Sequence, residues 1–350
     1  MRHAISLQPN GAVTGIGSLP LKKTEAAVNF VAKMCPEIPF WPQLPRRSKR
    51  EPMVEQALGP LTDWLQKRRD SYGYVIKPPR LDAFQTHLHQ GGAYLDVTRA
   101  AGFFAFEHAL QAGQFGQAIA LKGQLVGPIT LGGQLFAGDE PFIHQPELMA
   151  GVGRYIARIA CWQIKRMQQW RLPVIIMIDE PGLTMANPEG DNPLAGTLAR
   201  VLKEVLAEIA NAGGIAGVRC WGTFPPATIP LLNPAIISFD AYHELEAFIA
   251  HPDAIAFVKH GGLVAFGLVP LWPELVTVTA KNLYRRWQKA VLPALPPPQM
   301  ARRSIITTSH GLGLLDRTAA EASFNVVRQL AGLVNRHAAA ATTDHPQPAQ

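Results

Sequence analysis

The sequence predicts an α/β protein folded as a single (β/α)8 TIM barrel, and three observations predict it. Short apolar runs alternate with helical patterns, and such strand–helix units force parallel strands because each crossover needs a helix. About eight such runs occur, the number that closes a sheet on itself. The rival doubly wound sheet carries a glycine-rich phosphate loop after its first strand, whereas "GIGSLP" (15–20) lacks the third glycine.

The runs expected as strands are, in order, "AVTGIGS" (12–18), "IPFWPQ" (38–43), "AIALKGQLVG" (118–127), "VIIMID" (174–179), "IAGVRC" (215–220), "IISFD" (236–240), "LVAFGL" (263–268) and "SIITTS" (304–309). "VIIMID" is apolar without alternation, as in a strand buried on both faces. The clearest helix is 195–211, with Leu198, Val201, Leu202, Val205, Leu206 and Ile209 on one stripe, ending at Gly213 and Gly214. A last helix is expected from near Thr318, with Glu321 completing a capping box and Phe324, Val327, Leu330 and Val334 buried. Pro296, Pro297 and Pro298 mark a loop before the last strand. With no internal repeat or linker, residues 1–337 read as one barrel domain and 338–350 as a disordered tail.

Length and composition agree with this. A chain of 350 residues suits one barrel or two ordinary domains. Apolar residues at 47% against charged residues at 17% indicate a globular protein. No apolar run is long enough to span a membrane, and the first residues lack the apolar core of a signal peptide. Cys35, Cys161 and Cys220 have no paired spacing, which suits a reducing cytoplasm. The net charge of +7 collects in "RRSKR" (46–50), "KRR" (67–69) and Arg302-Arg303. No nucleic-acid motif or aromatic interleaving accompanies these clusters, so solvated surface is the first reading, an anionic ligand the second and nucleic acid the last.

In such barrels the site forms at the C-terminal ends of the strands. There lie Gly17-Ser18, Gln43, Gly127-Pro128, Asp179-Glu180, Arg219-Cys220-Trp221, Asp240 and Ser309-His310. Asp179 and Glu180 end a buried strand because the strand opens on a polar cavity; the plainer alternative for Glu180 is a loop-shaping pair with an arginine. Cys220, Asp240 and His310 follow three neighbouring late strands and carry zinc-ligand chemistries, three being enough for a catalytic zinc with one open position. They equally suit an inert buried thiol, a capping aspartate and a backbone-bonded histidine. His87, His89, His108 and the remaining histidines, in helical or loop contexts, read as ordinary.

"TGIGSLP", "KGQLVGPITL" (122–131), "IDEPGL" (178–183), "ISFDA" (237–241) and "TTSHGLGLLD" (307–316) occur in that order. Together they resemble the cobalamin-independent methionine synthase family, in its C-terminal catalytic barrel, within a superfamily shared with uroporphyrinogen decarboxylase. The resemblance spans about residues 12–335, with room for one barrel only. It implies a methyltransferase of methionine biosynthesis acting on a small homocysteine-type thiol held as thiolate on zinc. It implies that Ile16, Gly17 and Ser18 hold the polar end of the substrate amino acid, that Asp179 accepts its ammonium, and that Cys220, Asp240 and His310 hold the metal. The methyl donor, folate or corrinoid, is not implied, and no residue is assigned the acid–base role. The chain departs from the family pattern where "VRCWG" (218–222) puts Arg219 or Val218 in place of a histidine ligand. It departs again at Asp240 for a glutamate, His310 for a cysteine, Val269 for a general-acid histidine and Gln134 for an aromatic residue.

Two other readings compete. One is a metal-free barrel binding a small anionic ligand through Arg219 and the 46–50 loop. The other is a uroporphyrinogen decarboxylase-like enzyme in which arginines hold carboxylates. Beside a metal, Arg219 must turn away, onto Trp221 or a nearby acid.

Overall fold

The structure, a computed structural model, describes residues 7–69, 72–77 and 80–340. Its strands, in chain order, are β1 (Ala12–Val13), β2 (Leu65–Lys67), β3 (Tyr74–Ile76), β4 (Leu121–Val126), β5 (Leu135–Ala137), β6 (Glu140–Pro141), β7 (Val174–Asp179), β8 (Ile215–Arg219), β9 (Ile236–Phe239), β10 (Leu263–Val269) and β11 (Ser304–Thr308). One sheet runs β1-β11-β10-β9-β8-β7-β4, with every pairing parallel. Helices surround it, as the alternating pattern requires.

Residues 38–43 complete the circle between β1 and β4. Ser18 bridges to Gln43 and Phe40 to Lys122, both in the parallel sense. The backbone N–H of Gln43 donates to Gly17 O at 2.9 Å, and that of Lys122 to Pro39 O at 2.9 Å. Pro39 and Pro42 have no N–H to give, so this segment stands in the eighth strand position without a continuous ladder. A second sheet, ordered β2-β3-β5-β6, comes from the stretches after residues 38–43 and after β4. Both stretches leave the C-terminal ends of barrel strands, so the small sheet lies on the mouth side.

Strand parity divides the core in two. Ile175 and Met177 of β7 join Ala12, Ile38, Ile236, Leu263, Ala265 and Ile305 in a cluster inside the barrel. Ile176 and Ile178 face outward into the larger cluster beneath the helices. The helix Ala195–Asn211 buries all six residues of its predicted stripe, each worth roughly 1.5–3 kcal/mol as an upper figure. It ends before Gly213, whose φ of 81° favours glycine.

The last helix runs Arg317–Ala340. Its start corrects the expected capping box: the N–H of Ala319 donates to Asp316 Oδ1 at 2.7 Å, while Glu321 pairs with Arg317 at 2.8 Å. A carboxylate three residues upstream of a free amide is the stronger cap. Residues 338–340 continue this helix, and the remainder of the expected tail, 341–350, lies outside the described residues. No helix among the described residues is long and apolar enough to cross a membrane.

Candidate active site at the barrel mouth

Parity also separates the two acids at the end of β7. Asp179 continues the inward set of Ile175 and Met177 and lines the barrel cavity. Glu180 falls on the outward side and is fully buried. Its carboxylate accepts from the N–H groups of Ile129 and Thr130, each at 2.8 Å, and of Gly182 at 3.2 Å, and from the Thr130 hydroxyl. Its partners are therefore backbone donors and a hydroxyl, not an arginine. Burial pushes its carboxyl up to about 7, against the pull of those hydrogen bonds.

The same alternation acts one strand along. Arg219 is inward and lines the cavity. Its Nη1 donates to Asp179 Oδ1 at 2.9 Å and its Nη2 to Ser309 O at 3.1 Å. Of the two places expected for it, the acid is the one it takes. Cys220 is buried in the outer cluster, its sulfur 3.7 Å from Trp221 O and 3.8 Å from Thr223 O. Burial raises its thiol to about 12, outweighing the nearby Arg219 charge.

Asp240 caps the helix Ala241–Ala250. Its Oδ1 accepts from the N–H groups of Tyr242 at 3.1 Å and His243 at 3.3 Å. Its Oδ2 lies 2.7 Å from His243 Nδ1 and 3.9 Å from His310 Nδ1. The His243 side chain is 57% exposed. His310 Nδ1 also sits 3.1 Å from Ser309 Oγ, and its ring meets Trp221 edge-on at 6.2 Å between centroids. Burial lowers the His310 pKa, while Asp240 opposes the shift.

The implied zinc can be tested against these donors. Asp240 and His310 adjoin, but the Cys220 sulfur is turned to the carbonyls of Trp221 and Thr223. Among the described residues, no group of three or more His, Cys, Asp or Glu side chains is placed to hold a metal ion. In this arrangement Cys220, Asp240 and His310 do not make a zinc ligand set.

The segment implied to hold the substrate lies on the opposite wall. Ile16 lines the cavity and its carbonyl accepts from Lys122 Nζ at 2.9 Å. Gly17 has φ 152°, and a Cβ there would meet Gln43 Oε1 at 2.6 Å, so this close approach needs glycine. Ser18 Oγ accepts from the N–H of Gly313 at 3.2 Å. In the basic loop, Arg46 donates to Gly313 O at 3.1 Å and Leu314 O at 2.7 Å, while Arg47 pairs with Glu51 at 3.3 Å. Val269 is a buried apolar residue at the end of β10.

Sequence reasoning missed His243 and Lys122. His243 stands three residues after Asp240, the spacing of a capped first turn, and that was its only signal. Lys122 opens the "KGQLVGPITL" motif, and its Nζ also donates to Gln124 Oε1 at 2.9 Å inside the barrel. Burial pulls its pKa down to about 7, Asp179 opposing and Arg219 adding to the fall.

No protein-family model matches the chain, and no curated protein does. Among solved structures, a candidate vitamin-B12 independent methionine synthase from Listeria monocytogenes superposes with a TM-score of 0.50 at 14% identity, covering 89% of this chain and 86% of that one. A GH113 β-mannanase from Alicyclobacillus acidocaldarius gives 0.46 at 11% identity, covering 92% and 97%. At 14% identity the likeness to the first of these is one of fold alone.

Proposed function

We propose that the protein is a small-molecule enzyme working at the barrel mouth through the Asp240–His243 pair, with His310 beside it. The observation that carries this is the 2.7 Å approach of Asp240 Oδ2 to His243 Nδ1 on a half-exposed ring. A carboxylate on Nδ1 fixes the tautomer in which Nε2 is free to take a proton. Asp240 is itself fixed by the two helix N–H groups it accepts from.

The motif resemblance supplies the substrate class, a small thiol of the homocysteine type. A free thiol has a pKa of about 8.5, within reach of an imidazole base. In methyl transfer the S–H proton would pass to His243 Nε2, an S–CH3 bond would form, and the donor's bond to its methyl group would break. A zinc ion would do the same work by binding the thiolate, but the donor set does not fit it and no step here runs through a metal.

Calorimetric titration of homocysteine, in buffers of different ionisation heat, counts the protons exchanged on binding. Metal-free protein that binds it, with the proton count changed in His243→Gln, supports the proposal. Binding that requires stoichiometric zinc and disappears in Cys220→Ser transfers the chemistry to a metal. Absence of binding in either form rejects the thiol.

A further inference from the structure

Beneath the Asp179–Arg219 pair the barrel holds a cavity with about 20 Å³ of room for a water-sized group. Its floor is aliphatic, from Ile38, Ile175, Ile236 and Ile305. Its polar lining includes Lys122, Arg219 and Thr307. Arg219 Nε and Thr307 Oγ1 are buried and have no hydrogen-bond partner among the described residues, in side chains belonging to residues only 5% and 0% exposed. Lys122 gives two of its three N–H groups to Ile16 O and Gln124 Oε1. Buried donors without an acceptor are costly, and native proteins seldom leave them so.

What could satisfy all three follows from their chemistry. Lys122 and Arg219 offer only N–H groups, and the Thr307 hydroxyl can donate as well. Below about pH 7, with Lys122 protonated, two cationic side chains and one carboxylate, Asp179, face this space, so a cation is repelled. The room suffices for one water-sized group. We propose that this cavity is a binding site for one small anion, a halide or a single carboxylate oxygen reaching in from the mouth, held by Lys122, Arg219 and Thr307. The inference does not depend on the acid–base reading of the mouth. An anion here favours the charged form of Lys122, so binding strengthens as pH falls through about 7. The other ionisable groups that act on Lys122 are Asp179, Arg219 and Cys35, and burial keeps the Cys35 thiol protonated.

The test is the melting temperature of wild type, Lys122→Met and Thr307→Val at constant ionic strength, with sodium gluconate exchanged stepwise for chloride, bromide, formate or acetate. A saturable rise in wild type, larger at pH 6 than at pH 8, is expected. Lys122→Met should abolish it, and Thr307→Val, close to isosteric, should weaken the apparent affinity by about tenfold, one lost hydrogen bond to a charge. A response to halides alone identifies a free ion. A response that extends to formate and acetate identifies the carboxylate end of a ligand entering from the mouth. Equal melting in gluconate and every small anion at pH 6 overturns the site and leaves the cavity to water. An unchanged response in Thr307→Val also overturns it, whether or not Lys122→Met folds.

Discussion

Inside the barrel, strand ends carry Asp179 and Arg219, a charged pair lining the cavity with only its carboxylate partly exposed. One residue further along each chain, in the layer between strands and helices, stand Glu180 and Cys220, sealed from it. The two regions share strands and differ only in which face of the pleat they occupy. Inward residues line the cavity and pair across it; outward residues spend their donors and acceptors on the fold. Glu180 holds together the turn after β7 and the start of the helix Pro128–Gly132. Cys220 fills the outer cluster and leaves its thiol against carbonyls. Neighbours in sequence are therefore poor guides to shared function at a barrel rim, and parity is a better one.

The strongest way to break this comparison is Glu180→Ala. It strands the amides of Ile129, Thr130 and Gly182 in a buried place, and a loss of about 3 kcal/mol or more in urea unfolding is expected. A loss below about 1 kcal/mol would place Glu180 with the functional groups instead. Asp179→Asn comes next. It leaves Arg219 without its carboxylate, with a cost of about 2 kcal/mol, reduced because Asp179 is partly open to water. The further change Arg219→Met should recover part of that loss, and a double-mutant cycle measures how much. Full additivity would mean the pair contributes nothing. The smallest effect belongs to Cys220. Cys220→Ser should alter stability by about 1 kcal/mol, and a thiol raised to about 12 should resist an aromatic disulfide reagent at pH 8 until the protein unfolds. Labelling of Cys220 in the native state as fast as in urea would put its sulfur back at the mouth.

Much of the fold was legible in the apolar runs. "VIIMID" matches β7 residue for residue, and the helical stripe at 195–211 is buried as its period requires. Most other strands stop short of their expected ends, where residues such as Ser18 and Gln43 make single bridges, while β10 runs one residue further, to Val269. The small sheet was not legible, because β2, β3, β5 and β6 are two or three residues long, too short to show a period. At the site, position after a strand collected Asp179, Arg219, Asp240 and His310 together with Glu180 and Cys220, and could not separate the residues that face the cavity from those buried behind the strands. His243 stayed hidden because its role depends on the cap geometry of Asp240. Lys122 stayed hidden because a lysine in a strand reads as an exposed edge residue until the sheet closes around it.

The pairing of β1 with β11 has a kinetic consequence. The first strand joins its partner through Ala12 with Ile305 and Val13 with Ile306, across nearly the whole chain. During synthesis β1 must wait for a partner far downstream, so closure of the ring follows formation of most other strand pairs and is a slow, non-local event. A strand of two paired residues waits safely. It presents too little edge to recruit another chain while the ring stands open.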